Sequence, residues 1–551
     1  MKHTQSRPEQ HRGQGKMAPD SLNDILQDSP SPAIIIPKAY TPTHHDLIIP
    51  YNHLRGIIAY LAAQSPFTHL TCRDRVAFLI PNSLEFVATF LATTLTRAAS
   101  APLNPAYTES EIKFYFDDIQ PKFAIVLRAY ENAERVAKVA KHLGVPLFEV
   151  WSEIKGNDAF VNVGWLPPVN ESPKPEFLRQ GAPARGLLVG SDTALFLHTS
   201  GTTARPKGVP LSHTNILTSL RNISNTYELK SSDISLIVMP LFHVHGLLGA
   251  LFSTLYTRGT AIIAHKFSVT SFWSEFLDYN CSWYSAVPTI HQMLLSRVKD
   301  TFPSTTGRLR FIRSCSSSLA PSTLRQLEEV FKVPVVEAYA MTEAAHQMSS
   351  NYLPPGLRKP GSVGRGRGVE IVIMDERGKI LPVAEVGEVC ICGDNVIKAY
   401  HNNPVATASS FHPDPKSPSE ATKKYFRTGD LGSFDSDGFL FLTGRSKEQI
   451  NRGGEKISPL EIDNILISHP AVAEGVCFGV ISQLYGQEIE AAVVLKGIVN
   501  EDALKGYIGE RLAKFKVPRK IHIVKEIPKG PTGKVQRLSL GPLFERIGSK
   551  L

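Results

Sequence analysis

The sequence predicts a large α/β domain, followed by an antiparallel, barrel-like part and a compact α+β domain. The chain has 551 residues, which is more than one typical domain needs. Up to about residue 345, apolar runs alternate with helix-like segments, as in α/β units with mostly parallel strands. Beyond that point the pattern changes to hairpins, and it starts afresh near residue 444.

The α/β part begins after a polar extension. Residues 1–18 contain few apolar side chains, and we expect them to be disordered. Short apolar runs bounded by turns are typical of buried strands, and longer amphipathic runs indicate helices. The segments that show this alternation are "RVAFLI", "LEFVATFLATTLT", "FAIVL", "SLIVMP", "GTAIIA", "CSWYSAVP", "LRFIRSCSS" and "VPVVEAYAMTE".

The later parts of the chain show sequence patterns that predict other elements. "GVEIVIMDERGKILP" predicts a hairpin with its turn at 375–378, and "GEVCICG" predicts a further strand. Residues 402–424 are rich in Pro, Ser, Thr and Lys and predict a surface loop. "LEIDNILISHP", "VAEGVCFGVI" and "EIEAAVVLKG" then predict the α+β domain. We place the two domains at 19–443 and 448–548, with a hinge at 444–447.

Composition and charge narrow the classes of function. Residues 445–551 hold 17 Lys and Arg against 12 Asp and Glu, so about half of the net charge of +9 lies there. This balance suits a polyanionic ligand such as a nucleotide, coenzyme A or nucleic acid, and a solvated basic face is the alternative. Six dispersed cysteines without a CxxC pair indicate a reducing compartment. The most apolar stretch, 236–256, contains His243 and His245 and predicts a strand, a loop and a helix rather than a membrane span.

The chain ends in Ser549, Lys550 and Leu551, which form the SKL peroxisomal address. An import receptor reads this address at the C-terminus. Residues 1–32 are polar and show no secretory signal. We therefore expect the protein in the peroxisomal matrix, with the cytoplasm as the alternative.

"FLHTSGTTARPKGVPLSH" (196–213) places several hydroxyls and a lysine directly after an apolar strand. A glycine-rich loop that leaves a strand can turn its backbone N–H groups towards phosphate oxygens. The spacing does not match a Walker A motif, and a flexible Ser/Thr/Gly turn is the structural alternative. The candidate phosphate ligands are Thr199, Ser200, Gly201, Thr202, Thr203 and Lys207.

The same stretch resembles the phosphate loop of the adenylate-forming superfamily, which includes acyl- and aryl-CoA synthetases, luciferases and adenylation domains. Further stretches resemble the superfamily's motifs in the same order: "AYAMTE" (338–343), "YFRTGDLG" (425–432), "TGRSKE" (443–448) and "PKGPTGKVQR" (528–537). The resemblance covers most of the chain. It implies that the large domain has two α/β subdomains and a distorted β-barrel, and that the small C-terminal domain is mobile.

The resemblance implies a nucleotide site. Tyr339 would stack on adenine, in a strand that also places Glu337 and Ala338 at the nucleotide. Asp430 would bind the ribose, a role that suits a carboxylate because it accepts hydrogen bonds from both ribose hydroxyls. Arg445 would also contact the nucleotide.

The resemblance also implies the reaction, in which a carboxylate attacks the α-phosphorus of ATP and pyrophosphate leaves. Two anions must meet, so catalysis consists mostly of positioning and charge neutralisation. Lys207 would hold the β- and γ-phosphates, Thr342 would contact the α-phosphate, and Glu343 would ligate Mg²⁺. Lys534 would be the catalytic lysine that bridges the carboxylate and the α-phosphate.

In this superfamily the acyl-adenylate then reacts with the thiol of coenzyme A. The small domain rotates about a hinge residue, here Lys447, withdraws the catalytic lysine and opens a pantetheine tunnel. "NRGGEKISP" (451–459) matches the segment that lines this tunnel, so Gly453 and Gly454 would allow coenzyme A to approach closely. An ordinary turn is the structural alternative for these two glycines.

Three segments line the acid pocket in this superfamily: 240–247, 314–321 and the residues just after Glu343. Fatty and aromatic acids need mainly apolar pockets, whereas a second carboxylate needs hydrogen-bond donors. A single histidine can be merely structural, and His243 occurs in the superfamily with many substrates, so the inference depends on His245 and His346. The polar residues that these segments supply are His243, His245, Ser316, Ser317, Ser318 and His346.

The phrases "LHTSGTTARPKGVPLSH", "AMTEAAHQM" and "INRGGEKISPLEID" most resemble the fungal and plant oxalate–CoA ligases, among them a fungal peroxisomal CoA synthetase. The sequence therefore predicts an acid–thiol ligase that converts oxalate to oxalyl-CoA. A medium-chain fatty-acid or 4-coumarate-type CoA ligase is the alternative. A different class, an RNA-binding protein that uses the basic C-terminal part, lacks a recognisable binding module. We expect ATP, Mg²⁺, coenzyme A, a small carboxylic acid and the import receptor as partners, and neither nucleic acid nor a membrane.

Overall fold

Four β-sheets organise the part of the chain that the structure describes. The computed structural model describes residues 21–41, 43–155, 158–166, 188–199, 206–303, 305–416, 423–530 and 535–548. Within these residues the sheets have seven, nine, five and five strands. The first two sheets belong to the α/β part, the third to the antiparallel part, and the fourth to the C-terminal part.

The seven-stranded sheet has a parallel centre and antiparallel outer pairs. Its strands, from edge to edge, are Asp158–Trp165, Leu147–Lys155, Phe123–Leu127, Arg75–Leu79, Ala99–Pro102, Thr193–Thr199 and Lys207–Ser212. The last two strands pair so that Thr199 lies opposite Lys207. Strand pairing therefore fixes both ends of the predicted phosphate loop. Ser200, Gly201, Thr202 and Thr203 lie outside the described residues.

The nine-stranded sheet follows the same plan. Its strands, in order, are Arg365–Gly366, His346–Ser350, Val335–Met341, Phe311–Ser314, Trp283–Ala286, Ile234–Ile237, Thr260–Ile263, Pro32–Ile36 and Leu47–Pro50. The central pairs are parallel, and antiparallel pairs occur towards both edges. The prediction of mostly parallel strands up to about residue 345 is confirmed.

Helices connect the strands of these two sheets, and one core cluster reaches both sheets. The helix Leu84–Leu95 is buried on nearly its whole surface, and most of its residues are apolar. Its hydroxyls bond back to the preceding turn, as when Thr93 donates to the Thr89 carbonyl at 2.8 Å. The other helices are Tyr51–Ala62, Glu109–Ile119, Ala133–Leu143, His213–Thr226, Val244–Gly246, the π-helix Leu247–Phe252, Ser253–Tyr256, Phe272–Asp278, Pro288–Ser296, Val298–Thr301 and Pro321–Phe331. Short 3₁₀ turns occur at Leu22–Ile25, Lys38–Tyr40, Phe67–His69 and Thr342–Ala344.

The third sheet is antiparallel, as predicted. Its strands are Glu370–Met374, Gly387–Cys392, Lys424–Phe434, Phe411–Pro413 and Leu440–Arg445. The predicted turn at 375–378 is confirmed, because the N–H of Gly378 donates to the Asp375 carbonyl at 3.0 Å.

The prediction of a continuous loop over 402–424 is wrong in its first half. Pro404–Ser409 forms a helix and Phe411–Pro413 forms an edge strand. The Asn403 side chain caps the helix by accepting a hydrogen bond of 2.9 Å from the N–H of Ala406, with proline at the first helical position. Phe411 packs on Phe426 with ring centroids 5.3 Å apart. These local contacts outweigh the loop-like composition.

The C-terminal part forms the fourth sheet around its own core. Its strands are Glu455–Ile457, Ile450–Arg452, Gly486–Leu495, Val472–Ser482 and Lys520–Ile523, and its helices are Pro459–Ser468, Glu501–Gly509 and Arg537–Gly548, with 3₁₀ turns at Ser446–Glu448 and Lys514–Lys516. The turn Ser446–Glu448 lies between the third and fourth sheets along the chain. None of the described helices has the length and apolar content that crossing a bilayer requires.

Candidate functional site

One short segment of the nine-stranded sheet holds predicted nucleotide, metal and acid residues. The strand Val335–Met341 is followed by the turn Thr342–Ala344, and the strand His346–Ser350 runs back beside it. Ala345 and His346 make the reversal with positive φ angles of 47° and 96°. Such angles are unusual for residues other than glycine and often mark functional sites. The predicted adenine, metal and acid residues therefore come from one sharply folded stretch of chain.

Three predicted nucleotide ligands are in direct contact with each other. The Tyr339 hydroxyl donates a hydrogen bond to Oδ2 of Asp430, and Nε of Arg445 lies 2.9 Å from Oδ1 of the same carboxylate. Asp430 and Arg445 are opposite each other on neighbouring antiparallel strands. Asp430 is buried, whereas Arg445 is exposed. A carboxylate at the floor of a site with a cation at its mouth can accept hydroxyl hydrogen bonds and attract a phosphate.

Glu337 and Ala338 are buried in the same strand. Oε2 of Glu337 accepts a hydrogen bond of 3.1 Å from the N–H of Gly361. Burial raises the pKa of Glu337 to about 8, although the N–H groups of Gly361 and Leu319 oppose this shift. The side chain is therefore mostly protonated at neutral pH. Direct contact of Glu337 and Ala338 with a nucleotide stays a prediction.

Lys207 and Glu343 are joined through Tyr400. The Lys207 ammonium lies 4.4 Å from the centroid of the Tyr400 ring, and the Tyr400 hydroxyl donates a hydrogen bond of 2.8 Å to Oε1 of Glu343. Burial lowers the pKa of Lys207 and raises the pKa of Glu343, while the charge of each group opposes the shift of the other. Thr342 is half-buried beside Glu343. The arrangement places a cation and an anion at one site, as a metal–phosphate ligand requires.

The chemistry of Glu343 fits a magnesium ion. The side chain is buried, and the neighbouring positive charges lie close enough to affect its pKa. In the described ranges no group of three or more His, Cys, Asp or Glu side chains has a metal-binding arrangement. Mg²⁺ usually takes one or two carboxylates and completes its shell with phosphates and water. A single buried carboxylate near a phosphate loop therefore suits Mg²⁺ that binds together with a nucleotide.

Tyr400 stands outside the motifs that are recognisable in the sequence. The segment around it crosses the site, because the N–H of Ile397 donates to the Glu343 carbonyl and the N–H of His401 donates to the Gly208 carbonyl, both at 2.9 Å. The sequence signal is only an aromatic residue in a polar stretch, "KAYHNN". Its two partners are distant in the chain, so the pairing becomes visible only in the folded protein.

His245, Ser316 and His346 come together in the structure. Nδ1 of His245 lies 3.0 Å from Oγ of Ser316, and the His245 ring stacks on His346 with centroids 5.3 Å apart. Both histidines are buried. The His346 ring packs directly on Gly249, where any Cβ atom would collide with the imidazole. Glycine is required there because it alone permits this close approach.

The other predicted pocket residues are placed differently. His243 is half-buried just before the helix that begins at Val244, and its ring lies 4.7 Å from that of Phe242. Ser317 and Ser318 are exposed on the loop that follows Ser316. The polar centre therefore consists of His245, His346 and Ser316.

Two further residues behind His245 were not predicted from sequence. Oγ of Ser285 lies 2.7 Å from Nε2 of His245, and Nη1 of Arg313 donates a hydrogen bond of 2.9 Å to the same Oγ. Ser285 and Arg313 are neighbours on adjacent parallel strands. A charged residue inside the apolar run "LRFIRSCSS" is the one signal that could have found Arg313.

The predicted hinge and tunnel residues lie on the C-terminal side. Lys447 is exposed in the turn Ser446–Glu448, and its charge contributes to the lowered pKa of Lys207. Gly453 and Gly454 form the tip of a hairpin with φ angles of 60° and 94°. A tight hairpin turn of this kind favours glycine, so the turn explains both residues. Their role in a coenzyme A tunnel stays a prediction.

Lys534 lies outside the described residues, but both sides of its segment are anchored. Lys529 and Val535 form an antiparallel bridge. Nη2 of Arg537 lies 2.7 Å from Oδ2 of Asp463 on the first helix of the C-terminal part. The described residues on the two sides of 531–534 are therefore held by contacts within the C-terminal part.

The chain is similar to known proteins along nearly its whole length. Residues 69–401 match the model of AMP-binding enzymes, and residues 461–534 match the model of the AMP-binding enzyme C-terminal domain. The chain is 43% identical over 544 residues to an oxalate–CoA ligase of Saccharomyces cerevisiae, covering 96% of this chain and 97% of the relative. It is 46% identical over 469 residues to an oxalate–CoA ligase of Arabidopsis thaliana, covering 84% and 87%. The crystal structure of ATP-bound MatB from Rhodopseudomonas palustris superposes with a TM-score of 0.81 at 28% identity, covering 96% of this chain and 99% of that one.

Proposed function

This chain belongs to the AMP-binding enzyme family, and we propose that it is an ATP-dependent carboxylate–CoA ligase whose acid substrate is oxalate. The observation that carries the proposal is the segment that joins Tyr339, Glu343 and His346. This segment, a strand, a turn and a returning strand, connects the proposed nucleotide-binding cluster, metal–phosphate cluster and polar acid cluster. Similarity to two oxalate–CoA ligases over most of the chain supports the same reaction.

In the proposed first half-reaction, a carboxylate oxygen of the acid forms a bond to the α-phosphorus of ATP, and the bond to the pyrophosphate oxygen breaks. Lys207 and the loop 199–203 hold the departing phosphates, because their donors offset the negative charge that collects there. Lys534 holds the acid against the α-phosphate, which Thr342 also contacts, and reduces the repulsion between the two anions. Glu343 would hold Mg²⁺, which would supply further charge neutralisation of the phosphates when bound.

The nucleotide is held by the cluster around Asp430. Tyr339 and Arg445 fix the Asp430 carboxylate from two sides, so its remaining lone pairs can accept the ribose hydroxyls. In this proposal the ring of Tyr339 would stack on the adenine, and the exposed Arg445 would contact the nucleotide. Because the site is preorganised, the α-phosphorus is held in one orientation for attack.

In the proposed second half-reaction, the sulfur of coenzyme A forms a bond to the carbonyl carbon of oxalyl-AMP. The carbon–oxygen bond to AMP breaks, and the thiol proton passes to water. We propose that the domain 448–548 rotates relative to 19–443 about the hinge 444–447, which withdraws Lys534. Gly453 and Gly454 then line the path of the thiol. The exposure of Lys447 supports this role, because a hinge residue must change its backbone angles freely.

The acid cluster favours oxalate over fatty or aromatic acids. His245, His346 and Ser316 present polar groups where an apolar acid would need an apolar lining. An acid with no second anion would leave the Ser316 hydroxyl without a charged acceptor. The second carboxylate of oxalate would accept a hydrogen bond from this hydroxyl.

We also propose that Ser549, Lys550 and Leu551 direct the protein to the peroxisomal matrix through the import receptor. These residues lie outside the described part of the chain. A fluorescent fusion that keeps the three residues at its C-terminus is expected to collect in peroxisomes. A fusion that lacks only these residues is expected to stay in the cytoplasm, and identical distributions would contradict the proposal.

The acid is tested by giving the purified protein ATP, Mg²⁺ and coenzyme A with oxalate, acetate, octanoate or 4-coumarate. Pyrophosphate release and thioester formation are measured for each acid. Oxalate is expected to be strongly preferred, and Lys534→Ala is expected to abolish its adenylation. Preference for any monocarboxylate would overturn oxalate as the substrate. If no acid in a broad panel yields an acyl-adenylate, the reaction class itself is wrong.

A further inference from the structure

We propose that the buried guanidinium of Arg313 is a positioning and specificity residue for the acid. Through Ser285 it fixes the orientation of His245. The oriented His245 donates to Oγ of Ser316, so the Ser316 hydroxyl can donate its own proton to the second carboxylate of the substrate. This inference rests on the proposed function, because it names the residues that recognise a doubly charged acid.

Arg313 is a fully buried cation held by neutral groups. Its Nε donates to the Tyr227 hydroxyl at 2.8 Å, its Nη1 to Ser285 at 2.9 Å and its Nη2 to Oε1 of Gln347 at 3.2 Å. Of the carboxylates in the described ranges, none lies within ion-pair distance of this guanidinium. Arginine stays protonated in proteins, so the charge is permanent. A buried charge of this kind is costly until an anion balances it.

The hydrogen bonds run in one direction from Arg313 to Ser316. The guanidinium can only donate, so Oγ of Ser285 accepts from it. The other described partner of this Oγ is Nε2 of His245, at 2.7 Å. We assign the Ser285 proton to this nitrogen, because the assignment gives the buried hydroxyl hydrogen an acceptor. A neutral imidazole with an accepting Nε2 carries its proton on Nδ1, which then donates to Oγ of Ser316 at 3.0 Å. The proton of the Ser316 hydroxyl is consequently available to a ligand.

Ser316, at the end of this series of hydrogen bonds, lies where an acid can reach it. Ser316 is half-buried and has a φ angle of 74°, and the exposed Ser317 follows it. His245 also stacks on His346, so the oriented imidazole is held from a second side. A monocarboxylate uses its charged group for adenylation and has no second anion for this donor. Oxalate has one, which could accept this hydrogen bond.

Arg310 provides a matched control. It lies just before the strand Phe311–Ser314, and its Nη1 lies 2.6 Å from Oδ2 of Asp233, so it has an acidic partner of its own. Arg310→Gln removes a guanidinium from the same region of the fold and leaves Ser285, His245 and Ser316 unchanged. The contact of Arg310 with the network is a hydrogen bond of 3.3 Å to the Tyr227 backbone carbonyl, whereas Arg313 bonds the Tyr227 hydroxyl. Arg310→Gln should therefore report the general cost of losing an arginine here.

The experiment compares wild type, Arg313→Gln, Ser285→Ala and Arg310→Gln. KM values for oxalate and ATP are measured, and calorimetry measures the binding of oxalate and of glyoxylate, which has one carboxylate, with a non-hydrolysable ATP analogue. In Arg313→Gln and Ser285→Ala we expect the KM for oxalate to rise about tenfold or more, because a charge-assisted hydrogen-bond chain is lost. The KM for ATP should stay unchanged, the preference for oxalate over glyoxylate should shrink, and Arg310→Gln should behave as wild type.

Equal increases in the KM values for oxalate and ATP, or unchanged oxalate binding in Ser285→Ala, would overturn the inference. If Arg313→Gln does not fold, Ser285→Ala decides the question, because it removes a single buried hydroxyl and leaves Arg313 in place. If wild type itself does not use oxalate, the proposed function fails. If wild type uses oxalate and Ser285→Ala matches it, only the role of Arg313 fails.

Discussion

The hydroxyl of Tyr400 donates a hydrogen bond of 2.8 Å to Oε1 of Glu343. The ring of the same tyrosine lies 4.4 Å from the Lys207 ammonium. The hydroxyl thus orients the predicted metal ligand, while the π face attracts the predicted phosphate ligand. A single side chain outside the recognised motifs therefore connects two groups that must act on the same phosphates.

Tyr400→Phe is expected to weaken metal use while it keeps the ring beside Lys207. A hydrogen bond to a charged group contributes about 1.5–3 kcal/mol, so we expect the Mg²⁺ concentration for half-maximal pyrophosphate release to rise roughly tenfold. Binding of Mn²⁺ in the presence of ATP, followed by electron paramagnetic resonance, should weaken in parallel.

Tyr425→Phe is the matched control for Tyr400→Phe. It loses a tyrosine–glutamate hydrogen bond of 2.6 Å to Glu370 in the antiparallel sheet, where its side chain belongs to a separate core cluster with Met374 and Cys390. Its Mg²⁺ dependence should equal that of wild type. If the two variants show the same Mg²⁺ dependence, Tyr400 does not position the carboxylate.

Glu337→Gln is expected to change how stability depends on pH. Burial raises the pKa of Glu337 to about 8 in the folded protein, against about 4.3 for an unperturbed glutamate. The folded state therefore keeps a proton that the unfolded state releases, and this residue makes the folded state less stable as pH rises between these two values. Glutamine has no such proton, so the variant should lose less stability over this range.

Urea unfolding at about pH 6 and about pH 8 measures this difference, since one group that titrates between these states contributes about 1.4 kcal/mol per pH unit. Glu385→Gln is the control, because Glu385 is exposed. If the free energy of unfolding changes with pH by the same amount in Glu337→Gln and in wild type, Glu337 is ionised in the folded protein.

Lys447→Pro is expected to separate the two half-reactions. Proline fixes φ and restricts the preceding residue, so the proposed rotation at the hinge should be blocked. Pyrophosphate release in the absence of coenzyme A should persist, and thioester formation should be lost. Lys447→Ala keeps the backbone free and should retain both. Equal loss of both half-reactions in the proline variant would contradict the hinge role.

His245→Ala and His346→Ala are expected to weaken oxalate use far more than ATP binding. Each variant removes one of the stacked rings at the acid cluster, whereas the nucleotide cluster around Asp430 stays intact. Loss of the His245 contact that orients Ser316, or of the His346 ring that packs on His245, predicts a decrease of about tenfold or more in kcat/KM for oxalate. Steady-state kinetics with each substrate varied in turn measure this. A comparable rise in the KM for ATP would show that the histidines support the fold rather than the acid.

Much of the architecture was predictable because local patterns determine it. The parallel strands, the hairpin turn at 375–378 and the strand "GEVCICG" follow from apolar periodicity and turn residues, which act over a few neighbours. The loop predicted from composition over 402–424 is wrong at Pro404–Ser409, where an N-terminal cap and a proline stabilise a helix. Composition averages over residues, whereas a cap depends on one side chain at one position.

The candidate site was predictable only where its residues occur in motifs. Tyr339, Glu343 and Asp430 stand in stretches that resemble known motifs, and the structure brings Tyr339 and Asp430 into contact. Tyr400 and Arg313 stand outside such stretches. Strand pairing and loop crossings bring each of them close to the partners through which it acts. Their roles depend on distances between parts of the chain that no sequence pattern records.

The sequence by itself determined the order of strands and helices, the phosphate-loop composition and the kinds of side chain available for nucleotide and acid. The tertiary structure decided which of them meet: Tyr400 with Glu343 and Lys207, and Arg313 with Ser285 and His245. The physical reason is that hydrogen bonds and charge interactions act over a few ångströms, whereas their partners here lie far apart along the chain.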